Sequence, residues 1–233
     1  MPAERHSLLI TCEHGGNRVP ARYRRLFAGA ERALASHEGW DPGALELARE
    51  LARRLRAPLY YSTTSRLLVE LNRSLGHPRL FSRYSRRLSA AERRALLERY
   101  YFPYRAAVER HVAAALRTGR VLHLSCHSFT PRLGGVVRSA DVGLLFDPRR
   151  PAEAALCREW QLALNSLRVK RNYPYRGWAD GFTTYLRARF GRRYLGIEIE
   201  INQRFPRGDR ERWRRLRRLL VEKIGVRARF LSN

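Results

Sequence analysis

Leu8-Leu9-Ile10-Thr11-Cys12-Glu13-His14-Gly15-Gly16-Asn17 runs from an apolar stretch into two ionisable side chains and a pair of glycines. The apolar residues and the threonine predict a short buried strand. The glycines, followed by Pro20, predict the turn that leaves it. In an open α/β sheet, ligands bind just beyond the carboxyl ends of the strands. A histidine and a carboxylate at such an end are therefore site candidates, and the remaining strands are read for similar endings.

Outward from this strand the chain alternates. Gly39-Trp40-Asp41-Pro42 predicts a helix start, with Asp41 as N-cap and Pro42 in the first turn. Ala44, Leu45, Leu47, Ala48, Leu51, Ala52 and Leu55 form its apolar stripe. Pro58 to Tyr61 and Leu67 to Leu71 read as strands, the second ending in Glu70-Leu71-Asn72-Arg73. Gly76 to Arg87 is basic and reads as irregular and mobile. Ser89 and Glu92 form a capping box for a helix to about Tyr101, and Pro103 breaks it and starts another. Val121 to His127 and Val142 to Phe146 are the next strands, and Pro151 opens the next helix. After the loop Asn172 to Gly177 and a short helix from Phe182, Tyr194 to Ile201 is the last strand. Asp209 caps a final helix that turns Trp213, Leu216, Leu220 and Ile224 inward. This order predicts a single α/β domain over residues 1–233, a mainly parallel sheet with helices on both faces.

Composition narrows the function classes. There is no apolar run long enough for a transmembrane helix. Met1 to His6 lack an apolar leader, so a cytoplasmic protein is expected. Cys12, Cys126 and Cys157 are odd in number and far apart, which argues against a disulfide framework. The net charge of +26 raises nucleic-acid binding as a different class of function. However, the cations are nearly all arginine and are spread along the chain, with lysine only at Lys170 and Lys223. That distribution predicts non-specific attraction of polyanions and recruitment of acidic substrates.

Parity then picks out the chemistry, because alternate residues of a strand share a face. His123, Ser125 and His127 share one face of their strand, with His127 at the carboxyl end and His123 deeper, as a satisfied core histidine. Glu198, Glu200 and Asn202 share one face of the last strand, the two carboxylates about 7 Å apart. Burying them requires a metal ion or arginines; a half-exposed edge strand would also give this alternation. Histidines at two strand ends plus carboxylates are the ingredients of a catalytic zinc site, which uses three protein ligands. His14 and His127 are the histidine candidates. Asp41 is the favoured third ligand, with Glu13 and Glu70 as alternatives. Such a site polarises a carbonyl and brings a water molecule to a pKa of about 7. Glu200 or Glu198 is the candidate base, and Arg73 and Arg138 are candidates for a substrate carboxylate.

Glu13-His14-Gly15-Gly16-Asn17, Gly39-Trp40-Asp41-Pro42-Gly43-Ala44, Glu70-Leu71-Asn72-Arg73, Cys126-His127-Ser128-Phe129-Thr130-Pro131, Asp141-Val142-Gly143-Leu144-Leu145 and Glu198-Ile199-Glu200-Ile201-Asn202-Gln203 occur in this order. Together they resemble the N-formylglutamate amidohydrolase family, over about residues 8–203. The resemblance implies a three-layer α/β fold related to zinc carboxypeptidases and zinc amidases. It implies one zinc ion per chain and hydrolysis of the amide of a small anionic N-acyl amino acid. It carries over His14 and His127 as ligands and a glutamate of the last strand as base. Asp41 as third ligand rests on a looser likeness to zinc amidases. Asn17, Asn72, Arg73, Ser128 and Arg138 are the substrate-contact candidates. Asn17 stands where carboxypeptidases carry a glutamate ligand. Cys12 and Glu13 stand where the histidine-degradation members have Ser and Pro, which points to a different N-acyl substrate. A zinc amidase of peptide or cell-wall amides is the alternative within the same chemistry.

Overall fold

The computed structural model describes residues 6–230. Met1 to Arg5, part of the stretch read for a leader, lie outside the described residues. The chain runs β1 (His6–Cys12), a 3-10 helix (Ala21–Phe27), α1 (Glu31–Ala35), α2 (Ala44–Leu55), β2 (Leu59–Tyr61), α3 (Ala90–Leu96) and α4 (Phe102–Ala115). It continues through β3 (Arg120–Phe129), β4 (Arg132–Leu133), β5 (Val136–Val137), β6 (Val142–Leu145), α5 (Pro151–Ala163), β7 (Val169–Arg171), α6 (Phe182–Phe190), β8 (Tyr194–Asn202) and α7 (Arg210–Phe230).

The central sheet has six strands in the order β2-β1-β3-β8-β6-β7. β2, β1, β3 and β8 are parallel, whereas β6 pairs antiparallel with β8. The mixed but mainly parallel sheet predicted from the alternation is therefore present.

The two faces of the sheet differ in chemistry because of strand parity. Ile10, Cys12, Leu122, Leu124, Cys126, Leu195, Ile197, Ile199 and Ile201 pack against α2, α5 and α7 in one apolar core. Each fully buried Leu or Ile there contributes about 1.5–3 kcal/mol. On the other face, Leu9, Val121 and Tyr194 pack against Val108 and Val112 of α4 and Phe182 and Leu186 of α6. Toward the carboxyl ends of β1, β3 and β8 that face becomes polar and stays buried, with Thr11, Ser125, His127, Glu198 and Glu200. Register places Ser125 beside Glu198 and His127 beside Glu200.

Several local readings are corrected. Leu67 to Leu71 is not a strand but a series of turns. Leu67, Leu68, Val69 and Leu71 bury on all sides in a second cluster with Tyr23, Phe27, Leu80, Leu96 and Tyr101. A short apolar run has the same sequence signature whether it is a buried strand or a buried turn. Its backbone bonds are local or go to the next loop: Arg73 N–H to Glu70 C=O, and Glu70 N–H to Leu80 C=O at 3.0 Å. The segment from Gly76 to Arg87 is made of turns and ends in a short 3-10 helix, Ser85–Arg87, and Leu80 and Ser85 anchor it in the core. The break predicted at Pro103 is a π turn, Leu97–Tyr101, joining α3 to α4.

α2 begins at Ala44, with Gly43 at the cap position in the left-handed region at φ 81°. A Cβ on Gly43 would lie 2.5 Å from Pro206 Cβ, so this turn needs glycine twice over. Asp41 therefore does not cap the helix with its side chain. The capping box of Ser89 and Glu92 is formed, and Asp209 Oδ1 accepts from Arg212 N–H at 2.7 Å. Among the described residues no helix is long and apolar enough to cross a membrane.

Candidate active site

The turn after β1 brings His14 back over the strand ends. Gly15 and Gly16 let it lie against the backbone after β2: a Cβ on Gly15 would meet Ser62 C=O at 2.9 Å, and one on Gly16 Thr63 C=O at 2.8 Å. The loop before α2 delivers Asp41, anchored by its N–H to His14 C=O at 2.9 Å. β3 delivers His127. The three side chains converge: Asp41 Oδ2 lies 3.2 Å from His14 Nδ1 and 2.9 Å from His127 Nδ1. The imidazole centroids are 4.9 Å apart. All three residues are buried, and one donor atom from each falls within 4.8 Å of the others.

The far side of each ring is also held. His14 Nε2 is hydrogen-bonded to Glu70 Oε1. His127 Nε2 lies 3.3 Å from Glu13 Oε2 and 3.0 Å from Ser125 Oγ. Metal-binding histidines typically present one ring nitrogen to the ion and give the other N–H to a carboxylate. Glu13 and Glu70, read from the sequence as alternative ligands, lie against the Nε2 side of the two rings. Each imidazole therefore lies between two carboxylates, with both Nδ1 atoms directed at one oxygen. A divalent cation at that point would replace the two ring protons, so the donor set fits zinc.

Electrostatics follow from this crowding. Burial opposes charge on His127, but hydrogen bonds to Asp41 and Glu13 outweigh it and hold its pKa well above the ordinary histidine value. Burial likewise opposes charge on His14, yet Glu70 and Asp41 raise its pKa despite nearby Arg66. Asp41, Glu13 and Glu70 are pulled well below the usual carboxylate range, against burial, by these histidines and, for Asp41 and Glu70, by Arg66.

Glu200 behaves in the opposite way. Burial raises its pKa to about 8; His127 opposes the shift, and the Asp41 and Glu198 charges add to it. Its Oε2 is buried without a hydrogen-bond partner. Glu198, one step deeper, accepts from Thr183 Oγ1 at 2.6 Å. His123 is a satisfied core histidine, bonded to Thr11 Oγ1 at 2.8 Å and Tyr194 Oη at 2.6 Å.

The substrate-contact candidates divide. Ser128 N–H approaches Asp41 Oδ2 at 3.4 Å, and its Oγ accepts from Gln203 Nε2 at 3.1 Å. Arg138 stacks on Tyr175, its Cζ 5.3 Å from the ring centroid, and donates to Tyr175 Oη at 3.3 Å. Asn17 is exposed and donates to Leu34 C=O at 3.1 Å. Asn72 Oδ1 accepts Phe182 N–H at 2.7 Å, and Arg73 bonds the backbone carbonyl of Asp180. The last two therefore join the loop before α6 to the loop after Glu70.

Arg66 escaped the sequence reading, and Tyr175 comes from the loop Asn172 to Gly177 that this reading marked. Arg66 binds Asp41 Oδ1 at 3.2 Å and Glu70 Oε2 at 2.5 Å. Burial raises the Tyr175 pKa, and the nearby charges of Glu200 and Asp41 add to the shift. Arg66 had one available signal: buried acids need a compensating cation, and it sits four residues before Glu70.

The N-formylglutamate amidohydrolase family model matches residues 6–205. The chain belongs to the N-formylglutamate amidohydrolase family. It is therefore a hydrolase of an amide C–N bond. Among solved structures, the Agrobacterium tumefaciens gene product Atu2144 is similar at a TM-score of 0.81 and 30% identity, covering 97% of this chain and 91% of that one. An N-formylglutamate amidohydrolase from Ralstonia eutropha JMP134 shares the fold at a TM-score of 0.70 and 23% identity, covering 98% and 96%. No curated protein matches the chain.

Proposed function

We propose that this amidohydrolase is zinc-dependent, holds one ion per chain in a single domain, and cleaves a small anionic N-acyl amino acid of the N-formylglutamate type. The observation that carries this reading is the meeting of His14 Nδ1 and His127 Nδ1 at Asp41 Oδ2, with a carboxylate behind each ring. His14, Asp41 and His127 would hold the metal. When bound, zinc supplies a Lewis acid for the acyl carbonyl and a low-pKa water.

Glu200 is the base. It takes a proton from the attacking water and delivers it to the leaving nitrogen as the C–N bond breaks; the hydroxyl stays on the acyl carbon. Its elevated pKa and its unpartnered Oε2 support this role over Glu198, whose carboxylate is engaged by Thr183. Arg138 with Tyr175 receives a substrate carboxylate, and Ser128 and Asn17 are further substrate contacts in this reading. Asn72 and Arg73 hold the loop before α6 through Phe182 N–H and the Asp180 carbonyl.

Metal analysis of the purified chain and formate release from N-formylated acidic amino acids test this together. The expected result is near one zinc per chain. His127→Ala loses both metal and turnover. Wild-type zinc content in His127→Ala would overturn the ligand set.

A further inference from the structure

The two site histidines are supported by unlike means. Behind His127, Glu13 is held by neutral donors: Tyr104 Oη at 2.9 Å and Ser125 Oγ at 2.8 Å. Behind His14, Glu70 is held by a guanidinium. Arg66 Nε donates to Glu70 Oε2 at 2.8 Å and a second nitrogen lies 2.5 Å from the same oxygen. Its remaining arm donates to Asp41 Oδ1 at 3.2 Å. Glu70 thus keeps Oε1 for His14 Nε2, and Asp41 keeps Oδ2 for the two Nδ1 atoms. The result is a closed ring, His14 to Glu70 to Arg66 to Asp41 and back to His14.

Such a ring fixes geometry that its parts cannot fix singly. Turning the His14 imidazole breaks its bond to Glu70 or to Asp41. Turning Asp41 breaks its bond to Arg66. Arginine's planar fork can span two carboxylates at once, which the single ammonium of lysine does poorly. The cation also offsets two of the acids crowded into a buried site. Glu13 stands outside this ring and contacts none of its members in the hydrogen-bond network except through His127.

We propose that Arg66 and Glu70 are positioning residues that act as one unit, orienting His14 and Asp41 for the metal ion through this closed ring. The proposal rests on the reading of His14, Asp41 and His127 as zinc ligands. It adds a coupling between two residues that do not touch the ion.

Zinc affinity of the full chain, measured by competition with a chromophoric chelator, tests it. Wild-type protein is compared with Glu70→Gln, Arg66→Lys, their double variant, Glu13→Gln, and Glu13→Gln combined with Glu70→Gln. Glu70→Gln is expected to weaken zinc binding about 10–100-fold, the usual range for losing an outer-shell partner. Arg66→Lys weakens it in the same direction. Because the two form one unit, the double variant stays within about threefold of the weaker single variant. The Glu13–Glu70 pair instead multiplies, since it supports different histidines. Melting of the metal-free variants separates lost affinity from lost fold. If Glu70→Gln does not fold, Arg66→Lys carries the affinity test alone. Affinity within about threefold of wild type in the variant so tested would overturn the positioning role. Multiplying losses in the Arg66–Glu70 double variant would overturn the single unit. A wild-type chain that binds no zinc would instead overturn the underlying ligand reading.

Discussion

Two buried charged networks among the described residues are built differently. At the inner end of β8, Glu153 of α5 faces Arg187 of α6. Glu153 accepts from Arg187 Nε at 3.0 Å, Gly196 N–H at 3.0 Å and Asp147 N–H at 3.1 Å. Arg187 also donates to the carbonyls of Gly177 at 2.6 Å and Gly196 at 2.5 Å. Both carboxylate oxygens are occupied, and Arg150 Nε adds a second cation 3.9 Å from Glu153 Oε1. At the carboxyl end of the same strand, Glu13, Asp41, Glu70 and Glu200 crowd two histidines and Arg66. There Glu200 keeps an oxygen with no partner. A matched network joins elements and has little capacity left. An unmatched one is costly to bury and persists where something else completes it. The difference separates the structural pair from the proposed reaction centre without reference to sequence motifs.

That contrast can be broken by mutation. The largest effect is expected from Glu200→Gln: turnover should fall about 10²–10⁴-fold with zinc content unchanged, as for loss of a general base. Retained turnover, read by formate release, would move the base elsewhere. Next, Arg187→Met should cost about 3–5 kcal/mol of stability by removing the nearer cation from buried Glu153 and leaving only Arg150 at 3.9 Å, measured by urea unfolding. Zinc stoichiometry of the folded fraction should be untouched; a loss of metal would merge the two networks.

His123 lies between them and supplies a pH test. Burial lowers its pKa from 6.5 to about 4, so the native state resists the proton that the unfolded chain accepts. Stability is therefore full above the unfolded value and falls as pH drops from 6.5 toward 4. The loss reaches on the order of 3 kcal/mol. Urea midpoints across this window should slope less in His123→Gln. The smallest effect is expected at the exposed pair Arg94 and Glu98, 3.0 Å apart. Arg94→Ala should change stability by less than about 0.5 kcal/mol, and a larger shift in midpoint would show that exposed pairs also matter in this arginine-rich chain.

Much of the frame was legible along the chain. Parity separated Ile197, Ile199 and Ile201 from Glu198 and Glu200, and Leu122, Leu124 and Cys126 from His123, Ser125 and His127; the sheet obeys both divisions. The turns around Leu67 to Leu71 were not legible, because uniform burial removes the alternation that marks a strand. Nor was the arrangement of Glu13, Asp41 and Glu70 around the two rings. All three are acids near predicted strand ends or loops, and only their placement around the rings tells them apart. Arg66 was hidden among many similar arginines until its partners were located.

Residue order alone settled what each strand offers to each of its faces, because the backbone alternates side chains with a period of two. It also settled which strand ends carry imidazoles and carboxylates. Folding settled who meets whom. Lateral neighbours depend on sheet order, and Asp41, Arg66 and Glu70 arrive on loops whose paths follow from packing elsewhere. Whether a carboxylate lies between the rings, behind one of them or without a partner is a matter of a few ångströms, which no spacing along the chain encodes.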